Sequence, residues 1–210
     1  FDAVAEGLGH GILVLPSGAA PVLLADHPSI WRDLVSVQDV RTGPSPFAGL
    51  RGALRDLFPG RATIGVSPAD DMMPWSEAER LRRELPGLEL VDAGGLIAEM
   101  RRKKSPSEIV LLRRAASVAA QGLRAAVEAI RPGATEAEVS SAGVAAALRA
   151  GADHVRYFRV HSGPFSWWGS RWPPATTRAI EEGDLVAMDA IGAANGYQFD
   201  VNRTAACGRL

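Results

Sequence analysis

The spacing of hydrophobic and polar positions changes near residue 104, and this change divides the chain into two parts. In the first part, short apolar runs alternate with stretches of helical spacing. Strands and helices in this order predict a small α/β domain with a partly parallel sheet over residues 1–103. The predicted strands are GILVLP and PVLLAD on either side of Ser17-Gly18, ATIGV at 62–66 and LELVDA, and the predicted helices lie at about 48–57, at 74–85 and from about Gly95 into the basic run at 101–104.

Two capping boxes mark the start of long helices in the second part. Ser105 is followed by Glu108, and Thr135 is followed by Glu138, in each case ahead of apolar positions at helical spacing. These patterns predict two helices that are followed by strands. The first helix is expected to end at Arg131-Pro132-Gly133 and the second at Gly151, and the next strands are VRYFRV at 155–160, LVAMDAIG and GYQFDVNRT.

The last two predicted strands carry one aspartate each, Asp189 and Asp200. Asn195-Gly196 lies between them and is a strong signal for a two-residue hairpin turn. If the turn is centred there, Ile191 pairs with Asp200 and Asp189 pairs with Asn202. Because side chains alternate along a strand, the two carboxylates share one face as diagonal neighbours, about 7–8 Å apart at the backbone.

Two ionised carboxylates in an apolar sheet need positive charge between them. Divalent metal ions held by carboxylate oxygens would provide that charge. A structural ion pair with Arg203 is the alternative, although side-chain alternation places Arg203 on the opposite face from Asp200. The spacing by itself leaves both interpretations open.

Composition narrows the class of protein. The 210 residues are 47% apolar and 22% charged, as in globular proteins, and the formal net charge of −1 gives no electrostatic case for nucleic acid or an anionic membrane as a partner. No apolar run approaches the roughly 18 residues of a membrane span, and no signal-peptide pattern opens the sequence. The single cysteine, Cys207, allows no internal disulfide and is interpreted as a small buried side chain. We therefore expect a cytoplasmic location.

Five segments follow one another in the second part of the chain: KSPSEIVLLRRA, IRPGATEAEV, the SGP loop, EEGDLVAMDAIG and GYQFDVNRT. In this order they resemble the pita-bread metallohydrolases, the family of Xaa-Pro aminopeptidases, prolidases and creatinase. The first part is similar to the creatinase-type N-terminal domain of that family. The resemblance implies an α/β creatinase-like N-terminal domain at 1–103, followed at 104–210 by the first half of an α+β pita-bread catalytic domain.

The resemblance also implies a chemistry. Members of this family activate water for hydrolysis at two divalent metal ions (manganese, cobalt, iron or zinc), held by two Asp, one His and two Glu. Asp189 and Asp200 match the two Asp. The His and Glu ligands of the family follow the position that corresponds to Leu210, so we expect an incomplete ligand set, no catalytic residue within this chain and no activity from it alone. A homodimer is implied as well.

The loop after the SGP segment departs from the peptidases of the family, which carry a His where this sequence has Ser170. Asn202 stands where the family has Thr or Ser, and Arg203 follows it; both are expected to support the metal ligands. The side chains near the loop could bind an apolar, cationic or carboxylate-bearing ligand, or pack against another part of the protein. These substrate-pocket candidates are His161, Trp167, Trp168, Arg171 and Trp172.

Three functions are compatible with these residues. The favoured one is a metal-dependent Xaa-Pro aminopeptidase or dipeptidase that acts on peptides. The second is a hydrolase or lyase that acts on a small non-peptide molecule with the same fold, as the residue at position 170 suggests. The third is a binding module without catalysis, which predicts no bound metal.

Overall fold

The structure, a computed structural model, describes residues 11–26, 35–66, 73–167 and 173–209. The chain forms two compact units, and the boundary between them lies between Lys103 and Lys104. Each unit has a hydrophobic cluster of its own. No helix in the described ranges combines the length and the apolar character needed to cross a membrane.

The first unit contains two small sheets and three helices in its described part. Its elements are β1 (Gly11–Val14), β2 (Val22–Ala25), β3 (Asp39–Thr42), α1 (Pro46–Leu57), β4 (Ala62–Val66), α2 (Trp75–Glu84), β5 (Leu88–Asp92) and α3 (Gly94–Arg102). Strand β2 pairs antiparallel with β1 and parallel with β3, and β4 pairs parallel with β5. The partly parallel arrangement agrees with the pattern in the sequence. Strand β3 was not predicted, because its sequence DVRT lacks an apolar run.

The second unit packs two helices against one face of a three-stranded sheet. Its elements are α4 (Pro106–Ala129), α5 (Glu136–Arg149), β6 (His154–Ser162), a 3₁₀ turn (Gly163–Phe165), β7 (Leu185–Ala194) and β8 (Tyr197–Ala206). Both predicted capping boxes are formed: Ser105 and Glu108 exchange hydrogen bonds at the start of α4, and Thr135 and Glu138 do so at the start of α5. Strand β7 lies between β6 and β8 and is antiparallel to both.

The hairpin of β7 and β8 has the predicted register. Ile191 pairs with Asp200 and Asp189 pairs with Asn202. Positive φ angles of 53° at Asn195 and 74° at Gly196 form the turn, which is the conformation that favours this dipeptide in tight hairpins. The turn residues therefore fix which side chains share a face.

The two faces of this sheet have different surroundings. Val186, Met188 and Ala190 of β7 are buried in one cluster with side chains of α4, including Val118 and Leu123. Because side chains alternate, Asp189 projects from the other face of β7. The helices therefore cover the apolar face and leave the aspartates on the opposite one.

Candidate metal centre

Charged and polar side chains collect on the sheet face that points away from the helices. On this face, β-sheet pairing places Asp189 of β7 between Arg159 of β6 and Asn202 of β8. Ile191, two residues further along β7, pairs with Asp200. Alternation along each strand puts all of these side chains on one face. The central strand therefore presents one carboxylate and the neighbouring strand presents the second.

Asp189 is the most constrained of these residues. It is 9% exposed, and its Oδ1 atom is buried and accepts no hydrogen bond from the described residues. Its Oδ2 atom lies 3.6 Å from Nη1 of Arg159. Burial and, after it, repulsion from Asp200 raise the pKa of Asp189, whereas the charge of Arg159 lowers it. The ionised carboxylate is therefore only partly compensated.

The cation beside Asp189 is Arg159, not the Arg203 that the sequence offered as an alternative. Arg203 pairs with Met188 on the face opposite the aspartates, and its Nη1 atom donates a 2.7 Å hydrogen bond to the carbonyl oxygen of Asn202. No ion pair of the described residues joins it to Asp200. The sequence pattern did not predict Arg159 at this position, because it does not determine the register between β6 and β7. The alternation of VRYFRV does place Arg159 on one face of its strand, and that was the available signal.

Arg159 is held on this face by an aromatic ring. Its guanidinium carbon lies 4.6 Å from the centre of the Tyr157 ring, and that of Arg156 lies 5.0 Å from the same ring. Such contacts are favourable electrostatically, more so at partly buried positions. The guanidinium of Arg159 therefore interacts with both the Tyr157 ring and the carboxylate of Asp189.

Two of the five pocket candidates lie in the described part of the chain. His161 is 2% exposed and pairs with Ala187, so its side chain shares the face of Asp189. Its Nε2 atom lies 3.3 Å from the carbonyl oxygen of Pro173. Trp167 is 76% exposed, and its indole N–H donates to the carbonyl oxygen of Pro164. The other candidates, Trp168, Arg171 and Trp172, lie outside the described residues, as does Ser170.

The chemistry of this face fits a divalent metal ion. A buried carboxylate oxygen without a hydrogen-bond donor is costly, and a metal ion would satisfy it while also relieving the repulsion between Asp189 and Asp200. Across the described ranges, no group of three or more His, Cys, Asp or Glu side chains is placed to hold a metal. The two aspartates are therefore candidates for one part of a ligand set.

Comparison with known proteins gives matches over nearly the whole chain. The sequence model of metallopeptidase family M24 matches residues 110–210, and that of the creatinase/prolidase N-terminal domain matches residues 8–103. The curated relatives include a creatinase and a Xaa-Pro dipeptidase. A creatinase from a Bacillus species is 30% identical over 149 residues, which are 67% of this chain and 35% of the relative. A Xaa-Pro dipeptidase from Pyrococcus horikoshii is 28% identical over 151 residues, which are 71% of this chain and 41% of the relative.

A solved structure shares the fold. The X-Pro aminopeptidase from Thermotoga maritima superimposes with a TM-score of 0.80 at 20% sequence identity, over 95% of this chain and 54% of the other. This chain thus spans between a third and about half of the length of the proteins it matches.

Proposed function

This chain combines a creatinase/prolidase N-terminal domain with a domain of metallopeptidase family M24, and from that premise we propose that it serves metal-dependent hydrolysis with Asp189 and Asp200 as metal ligands. The observation that carries the proposal is the unsatisfied Oδ1 atom of Asp189, buried beside a second carboxylate. A purely structural carboxylate is normally paired or hydrogen-bonded at both oxygens.

The chain's own residues would act by holding the ligands in place. Asp189 lies on the central strand of the sheet, so hydrogen bonds to both neighbouring strands fix its backbone. Arg159 reduces the negative charge of the face without blocking Oδ1, since it approaches Oδ2. Bound divalent metal ions would acidify a water molecule and polarise the carbonyl of a substrate.

We propose Xaa-Pro peptides as the substrate class, in line with the name of the Pyrococcus relative. A small non-peptide substrate is the second candidate. Two observations favour it, the serine at position 170 in place of a histidine and the 30% identity to a creatinase. The homodimer implied by the family resemblance and the cytoplasmic location expected from the single cysteine stay predictions.

Binding of Mn²⁺ to the purified chain, measured by isothermal titration calorimetry, tests the metal ligands. Asp189→Asn and Asp200→Asn each remove one charged ligand oxygen, so we expect binding to weaken by at least about tenfold in each variant. Asp153→Asn is the matched control, because its carboxylate accepts the N–H of Gly196 at the turn end of the same hairpin. Far-ultraviolet circular dichroism confirms that the variants are folded.

Unchanged Mn²⁺ affinity in both aspartate variants would remove the basis of the proposal. Hydrolysis assays apply to a form of the protein that also supplies the His and Glu ligands of the family, and there an Xaa-Pro dipeptide compared with small amides and amidines distinguishes the two substrate classes. Proline release that persists in Asp189→Asn or in the presence of a chelator would contradict the metal mechanism.

A further inference from the structure

Glu136, in the first turn of α5, is completely buried and accepts four hydrogen bonds. Its Oε1 atom accepts from the backbone N–H and the hydroxyl of Ser162, each at 2.8 Å. Its Oε2 atom accepts from the backbone N–H of Thr176 at 3.1 Å and from the Thr176 hydroxyl at 2.6 Å. One carboxylate therefore joins the end of β6 to a segment that follows it in the chain.

Arginine and aspartate side chains complete the charge balance around this carboxylate. Arg178 donates from Nη1 to the hydroxyl oxygen of Ser162 and to Oδ2 of Asp184, both at 2.6 Å. Charged groups are rarely buried unless they are paired or fully hydrogen-bonded, and the four donors to Glu136 meet that condition. The arrangement is specific for a carboxylate, because both oxygens must act only as acceptors.

The segment joined to Glu136 also holds His161. The backbone N–H of Val160 donates to the carbonyl oxygen of Pro174 at 2.8 Å, and the carbonyl oxygen of Pro173 lies 3.3 Å from Nε2 of His161. A carbonyl oxygen can only accept, so this contact is a hydrogen bond when Nε2 carries a proton. The segment Pro173–Thr176 thus favours an Nε2-protonated ring for a histidine that faces the same side of the sheet as Asp189.

We propose that Glu136 is a positioning residue, which anchors Pro173–Thr176 against the end of β6 and thereby fixes the ring orientation and the tautomer of His161 beside the candidate metal centre. The observed contacts of Glu136 and of His161 all lie within this chain. Its relevance to substrate binding rests on the proposed function.

The test is the side-chain NMR spectrum of protein labelled with ¹⁵N-histidine, recorded without metal on wild type and on Glu136→Gln. The amide of glutamine has one acceptor and one donor end, so it must present an NH₂ group to two donors of either Ser162 or Thr176. We expect the Nε2 and Nδ1 signals of His161 to move and its tautomer ratio to change. His154, at the opposite end of β6, should keep its signals.

Amide hydrogen exchange gives an independent measurement. The N–H groups of Ser162 and Thr176 donate directly to Glu136, and we expect at least one of them to exchange about tenfold faster or more in Glu136→Gln. Glu138→Gln is the matched control. It changes a carboxylate in the same helical turn, but one that caps the backbone of Thr135 instead of binding the segment.

The proposal is overturned if the His161 signals and both exchange rates stay at wild-type values in Glu136→Gln, or if Glu138→Gln changes them equally. Should Glu136→Gln not fold, Thr176→Val removes the 2.6 Å hydroxyl contact to Glu136 together with the acceptor of the Arg178 backbone N–H at 3.1 Å, and unmoved His161 signals in that variant also overturn the proposal. These measurements need no metal and no turnover. A failure of the proposed function would appear instead as unchanged Mn²⁺ binding in the aspartate variants.

Discussion

Replacing Arg159 by glutamine tests the electrostatics of the candidate metal centre. Two unit charges at the 3.6 Å that separate Nη1 of Arg159 from Oδ2 of Asp189 attract by about 4–5 kcal/mol at an effective dielectric constant of about 20. Hydration offsets part of this attraction, because the two side chains keep 18% and 12% of their surface exposed. We expect Arg159→Gln to lower the free energy of unfolding of the metal-free protein by about 1–3 kcal/mol at neutral pH.

The loss of unfolding free energy in Arg159→Gln should be larger at neutral pH than under acidic conditions. Burial and Asp200 raise the pKa of Asp189 above 3.8, and Arg159 opposes that rise. A carboxyl group whose pKa is raised in the folded state contributes stability that is complete below the unfolded-state pKa and is lost as the pH rises through the folded-state pKa. Without Arg159 the pKa of Asp189 rises further, so the variant is weakened most at neutral pH and its deficit shrinks under acidic conditions.

The assay is urea unfolding of four proteins in the presence of a chelator: wild type, Arg159→Gln, Asp189→Asn and the double variant. The coupling free energy of this cycle isolates the pair, because any other contact of Arg159 is lost equally in both backgrounds. We expect coupling at about pH 7 that declines toward about pH 4. A coupling near zero at neutral pH, or one that does not change with pH, would refute the electrostatic reasoning.

Two further predictions concern the surroundings of the site. Gly163→Ala should lower the free energy of unfolding, measured in urea, by about 1–3 kcal/mol, because φ is +57° there and the new Cβ would lie 2.6 Å from Oδ1 of Asp184. Gly133→Ala is the control, because φ is +84° there but the space around it is open. An equal loss in both variants would contradict the predicted clash with Asp184. Cys207 is 1% exposed and burial raises its pKa, so its alkylation should be at least about a hundredfold slower in the native protein than in urea. Rapid labelling of the native protein would show instead that the thiol is accessible.

The sequence predicted those parts of the fold that local signals determine. The capping boxes set the starts of α4 and α5, and Asn195-Gly196 set the register of the hairpin. The family resemblance and the fold class, an α/β creatinase-like domain followed by part of a pita-bread domain, are confirmed by the matches at 8–103 and 110–210. Strand β3 escaped prediction because its pairing with β2 is tertiary.

The candidate site was predictable only along one hairpin. Alternation from the turn placed Asp189 and Asp200 on a common face, since both positions are counted from the same two residues. Arg159 comes from β6, whose pairing with β7 spans a long loop and shifts register between Val155 and Tyr157. No local rule supplies that register.

Glu136 was missed for a different physical reason. A glutamate in the first helical turn is common, because it favours the positive end of the helix dipole, and most such side chains remain in solvent. Only the position of Ser162 and Thr176 around it reveals a buried acceptor of four hydrogen bonds. Sequence spacing cannot show this, because both partners lie far along the chain in another element and in a loop.

The buried carboxylates of Glu136 and Asp189 differ in how well their charges are compensated, and that contrast supports a functional role for Asp189. Every acceptor position of Glu136 has a donor, so its charge stabilises the structure around it. Asp189 has a cation at 3.6 Å, a like charge nearby and one oxygen without a donor. The hydrogen bonds to Glu136 show that this fold can supply donors for every acceptor of a buried carboxylate. The cost that remains at Asp189 is therefore typical of a ligand position kept available for a cation.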